Sequence, residues 1–177
     1  GSLLVMATLG IFIGSIMAIR QRDIKKMLAY STVAQIGYVF LGIGLFSEKA
    51  MVGAIYHVFS HAVMKSMLFL SAGLLIKYSG KRTIEDLSGL GRIYPIPMVA
   101  FSVGALSMVG IPPLAGFMSK WYLGWGALEA NQLPFLLVLL VSSLLNGFYY
   151  LPIVIGGFFK PAAVAIKEEK IPLGAQI

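Results

Sequence analysis

The sequence predicts an all-α membrane protein, a five-crossing helical bundle in which one helix is discontinuous. The first observation is the composition: 58% of the 177 residues are hydrophobic and only 12% are charged, with a mean hydropathy of +0.87. A soluble domain of this size carries about twice as many charges. The second observation is that apolar stretches long enough to cross a bilayer recur along the chain, separated by short polar turns. The third is a cluster of glycines and prolines inside one of those stretches.

The apolar stretches set the domain organisation. A bilayer core of about 30 Å needs roughly 20 helical residues. We expect crossings at about residues 3–19, 25–46, 51–76, 95–128 and 134–159. They leave no room for a separate soluble domain, so residues 1–177 form one bundle. Because the chain is already apolar at Leu3 and ends without an obvious boundary, we expect it to be a piece of a longer membrane protein.

The fourth crossing contains the break. Gly110, Pro112, Pro113 and Gly116 fall within seven residues, and a helix cannot continue through them. Non-helical backbone at membrane depth is tolerated only where it packs within protein or lines a cavity. Such breaks expose helix-end carbonyl and amide groups, which transporters use to bind ions. Lys120 follows directly after this break.

The basic residues predict the topology. The chain carries 14 Lys and Arg against 7 Asp and Glu, a net charge of +7, which in a soluble protein would favour a nucleic-acid partner. If residues 95–128 cross once, eleven of the fourteen share one side of the membrane and the other side holds only Lys49. The positive-inside rule explains this asymmetry without nucleic acid and places the larger group in the cytoplasm. That group is Arg20, Arg22, Lys25, Lys26, Lys77, Lys81, Arg82, Arg92, Lys160, Lys167 and Lys170.

The third crossing carries titratable residues at a spacing of four: His57, His61 and Lys65. This spacing places them on one face of a helix. An ionisable group in hydrocarbon costs about 3 kcal/mol or more, so the face is expected to contact protein or water. Successive members are about 6 Å apart along the axis, and a water molecule would complete each step. The pattern predicts a path for protons.

The same residues allow other interpretations. Histidines four apart can share a zinc ion, but the chain has no cysteine and its seven acidic residues all fall in predicted loops or tails. We therefore expect no metal and no cofactor, and structural hydrogen bonding remains the alternative for the histidines. A lysine near a helix end can extend to the membrane surface. Lys65 lies in the middle of its crossing and Lys120 beside the break, which disfavours that explanation.

Three motifs, in order along the chain, carry a family resemblance. Residues 23–38 read DIKKMLAYSTVAQIGY, His57 and His61 precede Lys65 at intervals of four, and residues 110–120 read GIPPLAGFMSK. The sequence resembles the proton-conducting antiporter-like subunits of respiratory complex I (NADH:quinone oxidoreductase), of Mrp-type cation/proton antiporters and of membrane-bound hydrogenases. Those subunits contain two inverted five-helix repeats, and nearly the whole chain resembles the second repeat.

The resemblance implies roles for individual residues. It implies a proton relay composed of Lys120, Lys65, His57, His61 and Lys25, which forms a half-channel toward the outside of the membrane. The role of Lys25 comes from the resemblance alone. Its position beside a second lysine is equally typical of a positive-inside anchor.

The resemblance also implies a function and partners. It implies translocation of protons, or of cations and protons, by a membrane subunit of a redox-driven pump that has no catalytic activity by itself. The alternatives are a subunit of an Mrp-type secondary sodium/proton antiporter and a structural or assembly subunit that does not conduct. Expected partners are the lipid bilayer, other membrane subunits and a first repeat that carries a Glu–Lys pair. The expected location is a bacterial or archaeal cell membrane or an organelle inner membrane.

The predicted topology is testable by single-cysteine labelling, because the chain has no native cysteine. A membrane-impermeant thiol reagent is expected to label Glu48→Cys from the outside and Glu168→Cys from the cytoplasmic side. Labelling of both positions from the same side would contradict the five-crossing arrangement.

Overall fold

The computed structural model describes residues 2–162, and in this range the chain is helical with no β-strand. The helices are α1 Ser2–Ile19, α2 Ile24–Gly44, α3 Glu48–Ser79, α4 Leu90–Ile93, α5 Pro95–Val109, α6 Ala115–Glu129 and α7 Leu133–Phe159, with a 3₁₀ turn at Glu85–Leu87. Within the described range, α1, α2, α3 and α7 are long and apolar enough to cross a membrane. A fifth candidate is Glu85–Ile93 taken with α5 across a bend of 120°. The all-α membrane fold is therefore confirmed.

Local sequence sets the ends of the long helices. The Asp23 side chain accepts hydrogen bonds from the backbone N–H groups of Lys25 and Lys26, at 2.8 and 3.1 Å, and so caps the start of α2,. Ser47 caps α3 in the same way. Gly80, at φ +69°, ends α3 in the left-handed conformation that favours glycine,. As a result α3 extends several residues beyond the predicted crossing at both ends.

The helices α5 and α6 lie end to end along α3 and run antiparallel to it. Read along α3, the matched pairs are Ala50 with Gly126, His57 with Ser119, and Leu68 with Gly104. The residue numbers of the partners in α5 and α6 decrease as the residue numbers along α3 increase. The two shorter helices therefore follow one line and do not fold back on each other. This arrangement confirms a single discontinuous crossing.

The break itself is slightly shorter than predicted. Residues 110–114 are not helical, whereas Gly116, which was predicted to lie in the break, belongs to the first turn of α6. The N–H of Gly116 donates to Ser107 Oγ at 3.1 Å. A Cβ at this position would overlap the Ser107 carbonyl. This glycine is therefore needed for close approach of the two half-helices, and Gly110, at φ +95°, for the turn.

Hydrogen bonds between loops show which connections share an end of the bundle. The Ile84 N–H donates to the Arg22 carbonyl at 2.8 Å, which joins the α1–α2 turn to the segment after α3. The Gly89 N–H donates to the Gly156 carbonyl at 3.0 Å and brings the end of α7 to the same place. At the opposite end, Lys49 pairs with Glu129 at 3.4 Å. The grouping agrees with the predicted one, although the predicted positions of Lys167 and Lys170 lie outside the described residues.

Close packing of α3 on α6 gives a stability prediction. A Cβ at Gly126 would meet the backbone of Ala50, whereas a Cβ at Gly73 would meet nothing within 4 Å. Gly126→Ala is expected to destabilise the protein by about 1–3 kcal/mol, since neither backbone can move away easily. The matched control Gly73→Ala should leave stability unchanged or raise it by up to about 1 kcal/mol. The midpoint of thermal unfolding in detergent measures both, and equal midpoints would contradict this packing.

Candidate functional site

Polar side chains form a layer between two apolar clusters. One cluster, at the basic end, includes Leu28, Leu68 and Tyr150; the other includes Leu41 and Leu123. Between them α2, α3, α6 and α7 each contribute polar side chains. This polar layer consists of Ser31, Gln35, His57, His61, Lys65, Ser119, Lys120, Ser142 and Asn146.

Lys65 lies at one end of the polar layer, where three acceptors surround its amine. The side chain is 7% exposed. Its Nζ donates to the Leu28 carbonyl at 2.8 Å, to Ser31 Oγ and to Tyr150 Oη at 3.4 Å. Ser31 donates its single hydroxyl hydrogen to Leu28. Tyr150 must therefore donate to Ser31, at 3.0 Å, and this leaves both hydroxyl oxygens free to accept from a protonated lysine.

Lys120 lies at the other end, against the C-terminal end of α5. Its Nζ donates to the carbonyls of Met108 and Val109 at 2.9 and 3.0 Å, and the Tyr38 ring centroid lies 5.3 Å away. Helix C-terminal carbonyls carry partial negative charge and attract cations. The ring face attracts a cation as well. The break thus supplies an ammonium site in a segment that contains no carboxylate.

A cavity of about 550 Å³ lies beside Lys120 between α6 and α7. Its walls are mostly apolar and include Trp121, Trp125 and Leu139, with Gly110 from the break. The ammonium group of Lys120 is therefore close to space that extends along α6 toward the Lys49–Glu129 end of the bundle.

His57 is fully buried and its tautomer follows from its partner. Ser119 donates its hydroxyl hydrogen to the Gly116 carbonyl at 3.0 Å, since a carbonyl can only accept. The 2.9 Å contact between His57 Nδ1 and Ser119 Oγ therefore has the imidazole N–H as donor. In neutral His57, Nε2 is then an acceptor. Its ring stacks parallel to that of His61, with 5.9 Å between centroids.

The register of α2 against α3 places Gln35 beside the histidines. Ser31 meets Lys65 and Tyr38 meets His57, so the helices are antiparallel and Gln35 lies at the level of His61. Four buried atoms at this level have no hydrogen-bond partner within the described residues: both polar atoms of the Gln35 amide and the Nε2 atoms of the two histidines. Buried polar groups left unpaired cost about 1–3 kcal/mol each, and ordered water normally satisfies them.

The two lysines share no hydrogen-bond partner among the described residues. Lys65 donates to Ser31 of α2, whereas Lys120 lies over the ring of Tyr38, about two helical turns further along α2,. The unpaired polar atoms of Gln35 and the two histidines lie between those levels. The structure thus brings together four of the five predicted relay residues along one antiparallel pair of helices and the adjoining half-helix.

Lys25 is the exception among the predicted relay residues. Its side chain is exposed in the first turn of α2, one turn before Leu28 and on the outer surface of the bundle. The structure does not bring it to the polar layer, and its role in a relay remains a prediction. No group of three or more His, Cys, Asp or Glu side chains suited to a metal ion occurs in the described part of the chain.

Sequence reasoning missed the contribution of α7. Tyr150 holds Lys65 through its hydroxyl group, Ser142 accepts from Tyr38 Oη at 2.7 Å, and Asn146 donates to the Met108 carbonyl at 3.3 Å. Ser142 and Asn146 are four apart and Tyr150 follows four later, the same spacing as in the histidine helix. That periodicity was the available signal, but the uncharged side chains made it inconspicuous.

A family model described as NADH:quinone oxidoreductase/Mrp antiporter, transmembrane region, matches residues 2–146. The chain belongs to this antiporter family. The family consists of membrane subunits, in agreement with the apolar helices. The matched region runs from α1 to the middle of α7 and therefore includes every residue of the polar layer.

Two curated relatives and one solved structure locate the chain within the antiporter family. It is 46% identical over 173 residues to subunit N of the NADH-quinone oxidoreductase of Desulforudis audaxviator, covering 97% of this chain and 34% of the relative. It is 34% identical over 157 residues to one of the subunits of the Na⁺/H⁺ antiporter of Alkalihalophilus pseudofirmus, covering 89% and 32%. The Mrp complex of a Dietzia species contains a similar chain, with a TM-score of 0.87, 33% identity and coverage of 92% and 30%. The chain thus spans about a third of the length of these relatives.

The unpaired atoms of the polar layer give a prediction about water. In a map of the complete protein that resolves ordered water, density is expected within about 3.2 Å of His57 Nε2 and of the Gln35 amide. The apolar cluster around Leu68 should contain none, which provides an internal control. A direct side-chain partner from another segment at these atoms, or a dry contact, would contradict the interpretation.

Proposed function

We propose that this chain conducts protons, or exchanges cations for protons, across the membrane as part of a redox-driven ion-pumping complex. The relay consists of Lys65, His61, His57 and Lys120 with water between them. The observation that carries the proposal is the set of unpaired buried nitrogen and oxygen atoms on Gln35, His57 and His61, at levels between two lysines inside the bundle. Purely structural polar side chains in a membrane bundle are expected to satisfy one another.

The geometry at His57 supports a proton-transfer role. Ser119 holds the Nδ1–H, so an incoming proton is accepted at Nε2, the atom without a partner among the described residues. The imidazolium formed can then pass a proton onward, toward His61 or toward Lys120, through a bridging water. His57 is neutral before and after the step, and the Ser119 contact keeps its ring in one orientation.

The geometry at Lys120 suits both of its charge states. A neutral amine retains two N–H groups, and the Met108 and Val109 carbonyls accept two hydrogen bonds. The third N–H of the ammonium form has no hydrogen-bond acceptor among the described residues, and the Tyr38 ring, whose centroid lies 5.3 Å from Nζ, attracts it more weakly than a carbonyl would. We take this third proton to be the one that is exchanged. Since Lys120 lies nearer the Lys49–Glu129 end than Lys65 does, it is the last group before the outer side.

A secondary antiporter is the second candidate function, and the similarity to a subunit of a Na⁺/H⁺ antiporter favours it. The same relay would then be driven by a sodium gradient rather than by a redox reaction. A purely structural subunit remains the third possibility, against which the unpaired polar atoms argue. Partners follow from the proposal: other membrane subunits cover the apolar outer faces, and a first repeat supplies a Glu–Lys pair.

Substitution of Lys120 tests the proposal in the complete protein reconstituted into vesicles. Lys120→Ala is expected to abolish coupled proton transport. Lys120→Arg should also fail, because a guanidinium group does not release its proton. The arginine variant is the more informative of the two, because it keeps the positive charge and can still donate to the α5 carbonyls. Lys120→Glu is expected to retain part of the transport, because a buried carboxyl group can also exchange protons.

The control is Lys81→Ala, which removes an exposed lysine at the basic end and should transport at the normal rate. Co-purification of the other subunits checks assembly in every variant. Normal transport by Lys120→Arg would show that the residue supplies only a fixed charge, and the relay would have to be abandoned. A requirement for a sodium gradient in the unmodified protein would select the antiporter.

A further inference from the structure

Asn146 is a fully buried amide side chain in α7, which is otherwise one of the most apolar helices of the bundle. A polar side chain at membrane depth is expected to face protein and to serve a purpose there. Asn146 lies in the polar layer between Ser142, which accepts from Tyr38, and Tyr150, which accepts from Lys65.

The contacts of Asn146 fix the orientation of its amide. Oδ1 accepts from Tyr149 Oη at 2.5 Å. Nδ2 donates to the Met108 carbonyl at 3.3 Å and to Tyr38 Oη at 3.4 Å. The reverse orientation would put Oδ1 against the Met108 carbonyl, where neither atom has a hydrogen to donate. Every polar atom of the side chain is therefore used, and the side chain links α2, α5 and α7.

Two of these contacts are shared with Lys120. The Met108 carbonyl accepts from Lys120 Nζ at 2.9 Å as well as from Asn146. The Tyr38 ring lies below the same ammonium group. Because the two bonds to the Met108 carbonyl are 2.9 and 3.3 Å long, Nζ and Nδ2 cannot be more than 6.2 Å apart. Asn146 thus touches two of the groups that hold Lys120 without donating to or accepting from the lysine itself.

We infer that Asn146 is a positioning residue for Lys120: it fixes the Met108 carbonyl and the Tyr38 ring and so sets how firmly the relay holds its last proton. The inference rests on the proposed function. An amide does not pass protons on as a hydroxyl or imidazole does, so Asn146 lies beside the path and not in it. The Met108 carbonyl oxygen accepts from both Asn146 and Lys120. The bond from Asn146 therefore weakens the hydrogen bond that the carbonyl makes to the ammonium group.

Two substitutions separate positioning from packing. Asn146→Asp places a carboxylate within reach of the ammonium of Lys120, and an opposite charge at about 4–6 Å stabilises the charged form. Proton release then needs a higher pH. Transport at neutral pH is expected to fall roughly tenfold, and the optimum of the pH profile should move up by about one unit or more. Asn146→Leu removes the hydrogen bonds to Met108 and Tyr38 without adding charge, so Lys120 holds its proton differently and the optimum should also move, by less than in Asn146→Asp.

The matched control is Ser102→Ala, which removes a buried hydroxyl group that donates within its own helix, to the Met98 carbonyl. Its pH profile is expected to match that of the unmodified protein. If Asn146→Leu lowers the rate with an unshifted optimum, Asn146 only packs α7 against its neighbours and the inference is wrong.

A thermal double-mutant cycle gives a readout that needs no transport. Asn146→Leu is expected to lower the unfolding midpoint less in the Lys120→Ala background than on its own, because the contacts that Asn146 shares with Lys120 through Met108 and Tyr38 are then already broken,. An equal reduction in both backgrounds would overturn the inference. If Lys120→Ala still transports protons, the proposed relay fails, whereas the cycle continues to report whether Asn146 and Lys120 are coupled.

Discussion

The carbonyl groups at the C-terminal end of α5 must find hydrogen-bond donors inside the membrane, and the rest of the site depends on that requirement. A helix end leaves carbonyls without helical donors, and lipid offers no water to replace them. The N–H groups of Gly110 and Ile111 return to Leu106 and Ser107. The carbonyls of Met108 and Val109 are left to Lys120 and Asn146. The lysine therefore has a structural reason to lie in the membrane, and the proposed proton exchange would take place at the same position.

The polar layer has apolar clusters on both sides along the bundle axis. Water cannot easily enter from either membrane face through such packing. The less covered sides of the layer are lateral, where His61 is only half-buried and where the cavity beside Lys120 lies. The proposed path through this layer is therefore open at its side, and neighbouring segments would be needed to complete it. This accords with a chain that spans about a third of its relatives.

Much of the fold was predictable because membrane helices must be long and apolar, and because glycine and proline mark where they end. The histidine–lysine stripe was predictable from its spacing alone. The partners on other helices were not, since Ser119, Asn146 and Tyr150 resemble ordinary polar or aromatic positions until the helices are packed. A relay role for Lys25 was predicted from the family resemblance alone; capping by Asp23 starts α2 just before it, and its side chain is exposed in the described part of the chain. The docking of residues 89–92 on the end of α7, beside the bend before α5, had no signal in the sequence.

The unbroken course of α3 has a consequence for how the site moves. His57, His61 and Lys65 share one continuous helix, so their spacing is fixed as on a rigid rod. Lys120 and Ser119 belong to a separate half-helix that meets α5 through five non-helical residues. Any adjustment within the site is therefore expected at the break, where α6 joins α5. A sliding or rotation of α6 at that junction would open or close the contact between Ser119 and His57, while the spacing of the three residues on α3 stayed the same.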